Sequence, residues 1–220
     1  VDVFFVISGY LIGGGIIRDL QGGIFSLQGF YTRRIKRIMP AYFGMVIVTL
    51  LAGLFLYSYE PLASLGNAAL RSAYFFTNFF CYKYLGDYFS GVAEEHPMLN
   101  LWSLSVEEQF YMLVPLALLL MWKLGRRIVL AVLLLCCVLS FTNAEILVTK
   151  GTSVQDSFKA FYTLFPRAWE LLAGVLLAMA PVAKTGKWQV GLATLGLALV
   201  MASYVLLGDA EVFPGHDAAF

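Results

Sequence analysis

Six apolar runs, each close to the length that crosses a bilayer as helix, govern what this chain can become. They fall at residues 1–17, 40–57, 104–122, 128–147, 162–180 and 188–207. A hydrocarbon core about 30 Å thick takes roughly 20 residues as helix. Within hydrocarbon every backbone N–H and C=O must be satisfied internally, which leaves helices and closed barrels, and long runs without alternation read as helices. Hydrophobic residues make up 60% of the chain, charged residues 13%, and mean hydropathy is +0.78; a soluble domain is nearer half apolar and about a quarter charged. The predicted fold is all-α, a polytopic transmembrane helical bundle with about six spans.

Positive charge orients the bundle. Arg18, Arg33, Arg34, Lys36 and Arg37 lie between the first and second runs, and Lys123, Arg126 and Arg127 between the third and fourth. Lys184 and Lys187 lie between the fifth and sixth. A six-span reading puts all three basic loops on one side, expected to be cytoplasmic. Glu60, Asp87, Glu94, Glu95, Asp156, Asp209 and Glu211 then fall on the other. Segment 62–85 is apolar but carries Asn67, Arg71, Asn78 and Lys83. Counted as a seventh span it would invert every later loop, so it reads as an interfacial or re-entrant helix on the outer face.

With a formal charge of +1 and the basic residues serving topology, no nucleic-acid partner is expected. Three cysteines and two histidines, His96 and His216, offer no metal-ligand spacing, so no metal is expected. His96, just before Pro97, reads as a solvated loop residue.

Against this apolar background the polar residues stand out. A carboxylate in hydrocarbon costs about 2.5–3.5 kcal/mol on insertion scales, so such groups face protein or water and usually have a function. In Leu101-Trp102-Ser103-Leu104-Ser105-Val106-Glu107-Glu108-Gln109-Phe110-Tyr111, Ser105 and Glu108 have capping-box spacing. Glu108 therefore has both a structural and a catalytic reading. Glu107 shares a helix face with Ser103 and Tyr111, and capping does not explain it. In Phe30-Tyr31-Thr32-Arg33-Arg34-Ile35-Lys36-Arg37, the bland account is a topogenic signal. The sharper one is a phosphate site, with Arg34 and Arg37 aiming two guanidinium forks to one side. Arg167 and Glu170, at i and i+3 with Gly174 one turn on, are packing glue or the lining of a polar cavity. Gly9 and Gly13 allow close helix approach. Asp2, at the outer end of the first run, is open. No G-x-S-x-G elbow exists, and no histidine is placed to serve Ser8, Ser103 or Ser105.

Four blocks together resemble the acyltransferase family 3 membrane O-acyltransferases, which include bacterial O-antigen and exopolysaccharide O-acetyltransferases. They are Val1-Asp2-Val3-Phe4-Phe5-Val6-Ile7-Ser8-Gly9-Tyr10-Leu11-Ile12, the stretch Phe30 to Ala41, the stretch Leu101 to Tyr111, and Arg167-Ala168-Trp169-Glu170-Leu171-Leu172-Ala173-Gly174. The resemblance implies a roughly ten-span domain, of which residues 1–220 are a part truncated at both ends. Phe213-Pro214-Gly215 looks like the start of a block seen in members with a fused SGNH-type domain, which would lie beyond residue 220. The implied activity is transfer of an acyl group, usually acetyl, from cytoplasmic acyl-CoA to a hydroxyl of a cell-surface carbohydrate, in the bacterial inner membrane. Acetyl-CoA is then a co-substrate, contacted by Arg34 and Arg37 with Arg33 beside them. The family's catalytic histidine lies on the helix ahead of Val1, so this stretch by itself is expected to be inactive.

Glu107, Glu108 and Asp2 are the expected supporting carboxylates, and Ser103, Trp102, Tyr111, Arg167 and Glu170 the expected lining of a polar cavity. The family often has His two residues ahead of the Trp of the third block; Asn100 stands there, which can hydrogen-bond but cannot relay a proton. The expected layout puts the glutamates at the outer end with Asp2, and Arg34 and Arg37 at the opposite face. A transporter or flippase is the alternative, since buried ionisable residues and Gly-rich helices also suit substrate pathways. Acceptor and oligomeric state are left open.

Overall fold

The computed structural model describes residues 1–86, 88, 93, 95–180, 191, 194–196, 198, 199 and 201. Among these it is entirely helical: α1 (Asp2–Gln21), α2 (Leu27–Leu56), α3 (Tyr59–Ser72), α4 (Thr77–Phe80, continued by a π-helical turn Cys81–Leu85), α5 (Leu101–Trp122), α6 (Arg126–Thr149), α7 (Val154–Tyr162) and α8 (Leu164–Met179). Four of them, α1, α2, α5 and α6, are long and apolar enough to cross a membrane. The chain is a multi-pass helical membrane protein. The predicted span at 188–207 lies largely outside the described residues. So do Asp87, Glu94, Lys184, Lys187, Asp209, Glu211, the Phe213-Pro214-Gly215 block and His216.

Helix α8 is the keystone, packed between α1 and α6. The sequence permits this because two glycines meet: a Cβ on Gly9 would collide with the Leu171 carbonyl, and one on Gly174 with the Val6 carbonyl and the Tyr10 amide. The two backbones thus touch, as the glycine spacing predicts. On the other flank Ser140 of α6 reaches into the start of α8. Its hydroxyl donates to the Phe165 carbonyl at 2.6 Å and accepts from the Trp169 amide at 2.8 Å. At 16 residues, about 24 Å, α8 is shorter than the predicted run 162–180. Extended Thr163 (φ −99°, ψ 151°) breaks the chain after α7, and helix resumes at Leu164.

Helix α2 departs more from expectation. Pro40 reads as a helix start, yet the helix begins at Leu27, capped by the Ser26 hydroxyl, and runs through Pro40. An interior proline removes one backbone hydrogen bond, which a 30-residue helix survives. Arg33, Arg34, Lys36 and Arg37 are consequently helical and not loop. At 1.5 Å per residue α2 is about 45 Å long, longer than the hydrocarbon core.

Segment 62–85 forms no single spanning helix. Its 14-residue α3, about 21 Å long, ends at a turn where Phe75 takes φ 57°, and the short α4 and its π turn follow. The segment is tied down by the buried Tyr42–Ser72 hydroxyl contact at 2.6 Å. This agrees with the interfacial or re-entrant reading.

Candidate active site

Helix α5 starts a full turn before Ser105. The turn through residues 97–100 closes with Leu101 N–H on Met98 O and Trp102 N–H on Leu99 O, so the N-cap is Asn100. The Ser105–Glu108 capping box is therefore corrected. Ser105 lies inside the helix, its hydroxyl donates to Leu101 O at 3.0 Å, and Glu108 has no terminal amide to cap. Removing the capping role leaves both glutamates as buried acids in the interior half of a spanning helix.

Glu107 and Tyr111, one turn apart, face α1. Tyr111 and Ser8 are in hydroxyl–hydroxyl contact, and the Glu107 carboxylate interacts with both. From α2, Arg34 reaches into the same group: its guanidinium carbon lies 4.6 Å from the Tyr111 ring centre, and its charge acts on Glu108 and Glu107. Tyr31, one turn earlier, donates to the Met112 carbonyl at 2.8 Å and fixes α2 against α5 at this level. Ser8, Tyr111, Glu107, Glu108 and Arg34 thus form one polar centre inside the bundle. One oxygen of each glutamate has no hydrogen-bond partner among the described residues, and a buried acceptor left so costs about 1–3 kcal/mol.

This corrects the expected layout. Arg34 is not remote from the glutamates but joins them. A cavity of about 340 Å³ lies beside it, lined by Arg33, Arg34 and Arg37, by Phe30, and by Leu11, Ile12, Gly15 and Ile16 of α1. It lies at the low end of the usual range for ligand sites, about 300–1,000 Å³. Three guanidiniums at an apolar wall suit a ligand with phosphates at one end and an apolar arm. Arg33 is largely exposed and only loosely paired, 3.6 Å from Asp19.

A second cluster lies apart. Arg167, fully buried, pairs with Glu170 and with Asp2, each at 2.7 Å, and its Nε donates to Phe161 O at 3.1 Å. Its guanidinium carbon lies 4.9 Å from the Phe161 ring centre and 5.7 Å from that of Trp102. Asp2 therefore serves the Arg167 pair and is not brought to the glutamates. Trp102 belongs to an aromatic core with Phe5, Tyr88, Phe161 and Tyr162. Ser103 does not join the polar centre either. Its hydroxyl donates to the Asn100 carbonyl at 3.1 Å. Asn100 Oδ1 accepts from Tyr88 at 3.3 Å, a structural tie.

Sequence reasoning missed two features. Gln109 donates to the Phe75 carbonyl at 2.7 Å and to Asn78 Oδ1 at 3.0 Å, fastening the turn between α3 and α4 next to Glu108. Asn78 in an apolar run was the available signal. His96, expected in solvent, is part-buried beside the Phe80 ring, and its Nδ1 accepts from Met98 N–H at 3.3 Å. Burial holds its pKa below the ordinary imidazole value.

The chain is thus a helical membrane bundle with a polar centre of two acids, two hydroxyls and an arginine beside a basic cleft. The chain belongs to the acyltransferase family 3, whose profile, described as an acyltransferase domain, matches residues 1–219. It is 37% identical over 188 residues to an uncharacterized protein of Haemophilus influenzae, covering 81% of this chain and 74% of that protein. It is 33% identical over 181 residues to the peptidoglycan O-acetyltransferase OatA of Listeria monocytogenes, covering 81% of this chain and 28% of OatA. With the O-acetyltransferase OatA of Staphylococcus aureus, identity is 29% over 222 residues, covering 96% of this chain and 36% of that protein. The chain thus spans about a third of the named relatives' length or less. No solved structure gives a significant match.

Proposed function

We propose that this chain is the membrane core of an O-acetyltransferase that takes acetyl from acetyl-CoA on the cytoplasmic side of a bacterial inner membrane and transfers it to a hydroxyl of a cell-surface glycan. The observation that carries this reading is the position of Arg34, which lines the basic cleft and also reaches Tyr111 and the glutamates. A donor whose phosphates are held by Arg33, Arg34 and Arg37 would direct its thioester along α1 toward that centre. Glu107 and Glu108 then orient the acceptor hydroxyl and relay its proton by general acid–base catalysis. The resemblance assigns the base itself to a histidine on a helix ahead of Val1. Asp2, Arg167 and Glu170 hold α1 and α8 in place.

Peptidoglycan is the favoured acceptor, because the Listeria monocytogenes relative is named a peptidoglycan O-acetyltransferase. O-antigen and exopolysaccharide are the competing acceptors. An SGNH-type domain following this core in the full protein is part of the proposal. The test is to give membranes containing the full-length protein labelled acetyl-CoA and follow label into purified peptidoglycan and into lipopolysaccharide. Label should enter peptidoglycan and fall sharply in Arg34→Ala plus Arg37→Ala. Unchanged labelling in that variant sinks the donor assignment, and label confined to lipopolysaccharide sinks the acceptor.

A further inference from the structure

The hydroxyls of this bundle have a common habit that Ser8 breaks. Ser72, Ser103, Ser105 and Ser140 each donate to a backbone carbonyl, at 2.6–3.1 Å, the usual arrangement for serine in a helix. Ser8 instead meets the Tyr111 hydroxyl of another helix, 103 positions away, and Glu107, one turn before Tyr111 on the same face, is electrostatically coupled to both. An ionised carboxylate only accepts. Glu107, on the same face of α5 as Tyr111, is placed to accept from either hydroxyl. A serine hydroxyl beside a buried carboxylate, with a tyrosine hydroxyl at hand, has the parts of an activated nucleophile.

Its position along α1 strengthens the case. The cleft is lined by Leu11, Ile12, Gly15 and Ile16, and Ser8 lies three and four residues before the first two, on the same face. A group advancing from the arginines along that face meets Ser8 next.

We infer that Ser8 carries the acyl group as an ester between donor and acceptor. This rests on the acyl-CoA reading above and adds a covalent intermediate to it. In the first half, Ser8 Oγ attacks the thioester carbonyl carbon and its proton passes to Glu107. The C–S bond breaks, and Glu107 hands the proton to the departing sulfur, releasing free CoA thiol. Tyr111 donates a hydrogen bond to the carbonyl oxygen as it gains charge. In the second half, the acceptor hydroxyl attacks the acyl carbon. Its proton enters the same relay and returns to Ser8 Oγ as the serine ester breaks. The sum is one thioester and one alcohol converted to one ester and one thiol.

The experiment uses membranes containing the full-length protein, labelled acetyl-CoA, an acid quench within one turnover, and mass spectrometry of the peptide containing Ser8. Acetylated Ser8 is expected in the wild type, with Ser8→Ala losing the label and transfer falling more than about 100-fold. Ser8→Cys guards against a folding artefact: it should regain label as a thioester that neutral hydroxylamine releases. Transfer undiminished in Ser8→Ala, or label on Tyr111 with none on Ser8, overturns the inference and leaves the O-acetyltransferase reading standing. Wild-type membranes that move no acetyl from acetyl-CoA sink the donor reading, and this inference with it.

Discussion

Replacing Arg167 by Met should be among the most damaging single changes outside the polar centre. Arg167 and Glu170 are both fully buried at 2.7 Å, whereas the Asp2 side chain is 25% exposed and can be rehydrated. Removing one partner of a buried pair leaves the other charge uncompensated, which costs about 3–5 kcal/mol. The methionine stem replaces part of the lost packing on Trp102 and Phe161 but not the cation–π attraction, about 0.5–1 kcal/mol per ring. For a domain of this size 1 kcal/mol shifts Tm by roughly 2–4 °C, so a total loss of about 4–7 kcal/mol gives an expected drop of about 8–28 °C. Thermal denaturation of the detergent-purified full-length protein measures it. The reasoning also demands that Arg167→Met with Glu170→Leu recover at least half of the loss, because the stranded carboxylate is then gone. A single variant that loses less than about 2 °C, or a double variant less stable than the single one, refutes it.

The helix contact and the outer loop give two more predictions. Gly174→Val should abolish recovery of monodisperse protein on size exclusion, since the new side chain meets the α1 backbone at Val6 and Tyr10. Gly44→Ala, with open space around it, should be harmless. Asp156 closes a capping box with Ser153, and the Ser153 hydroxyl and the Ser153 and Thr152 amides hold its carboxyl below the ordinary range. A depressed pKa means a contribution present above the unfolded value of about 3.9 and lost as pH falls through the folded one. Protection factors at the 152–156 amides, with the intrinsic pH dependence of exchange divided out, should therefore fall on acidification below about pH 4 in the wild type. Asp156→Asn should show lower protection at pH 7 and little further change in protection on acidification.

The membrane-crossing helices were legible because hydropathy over about 20 residues is a local property, and Gly9 announced a close contact without naming Gly174 as its partner. The polar residues of 62–85 correctly argued against a span. The run 40–57 missed the first half of α2 because its basic turns before Pro40 are not apolar, and hydropathy does not register them as part of the same helix. The Ser105–Glu108 spacing misled because the true start, at Leu101, is set by a turn among residues 97–100 whose N-cap, Asn100, makes no side-chain capping hydrogen bond. Least legible was the centre itself. Glu107 and Tyr111 announced a shared face, but Ser8 and Arg34 arrive from other helices, and nothing local in the sequence encodes that meeting.

The central claim is that donor recognition and chemistry occupy adjoining parts of one site, with Arg34 at the junction. Binding and transfer measured side by side on purified full-length protein test it directly. Glu107→Gln should bind acetyl-CoA within about twofold of wild type while transfer collapses, and Arg34→Gln should weaken binding at least about tenfold, or 1.4 kcal/mol. Arg34→Gln protein that binds acetyl-CoA as tightly as wild type would contradict the account.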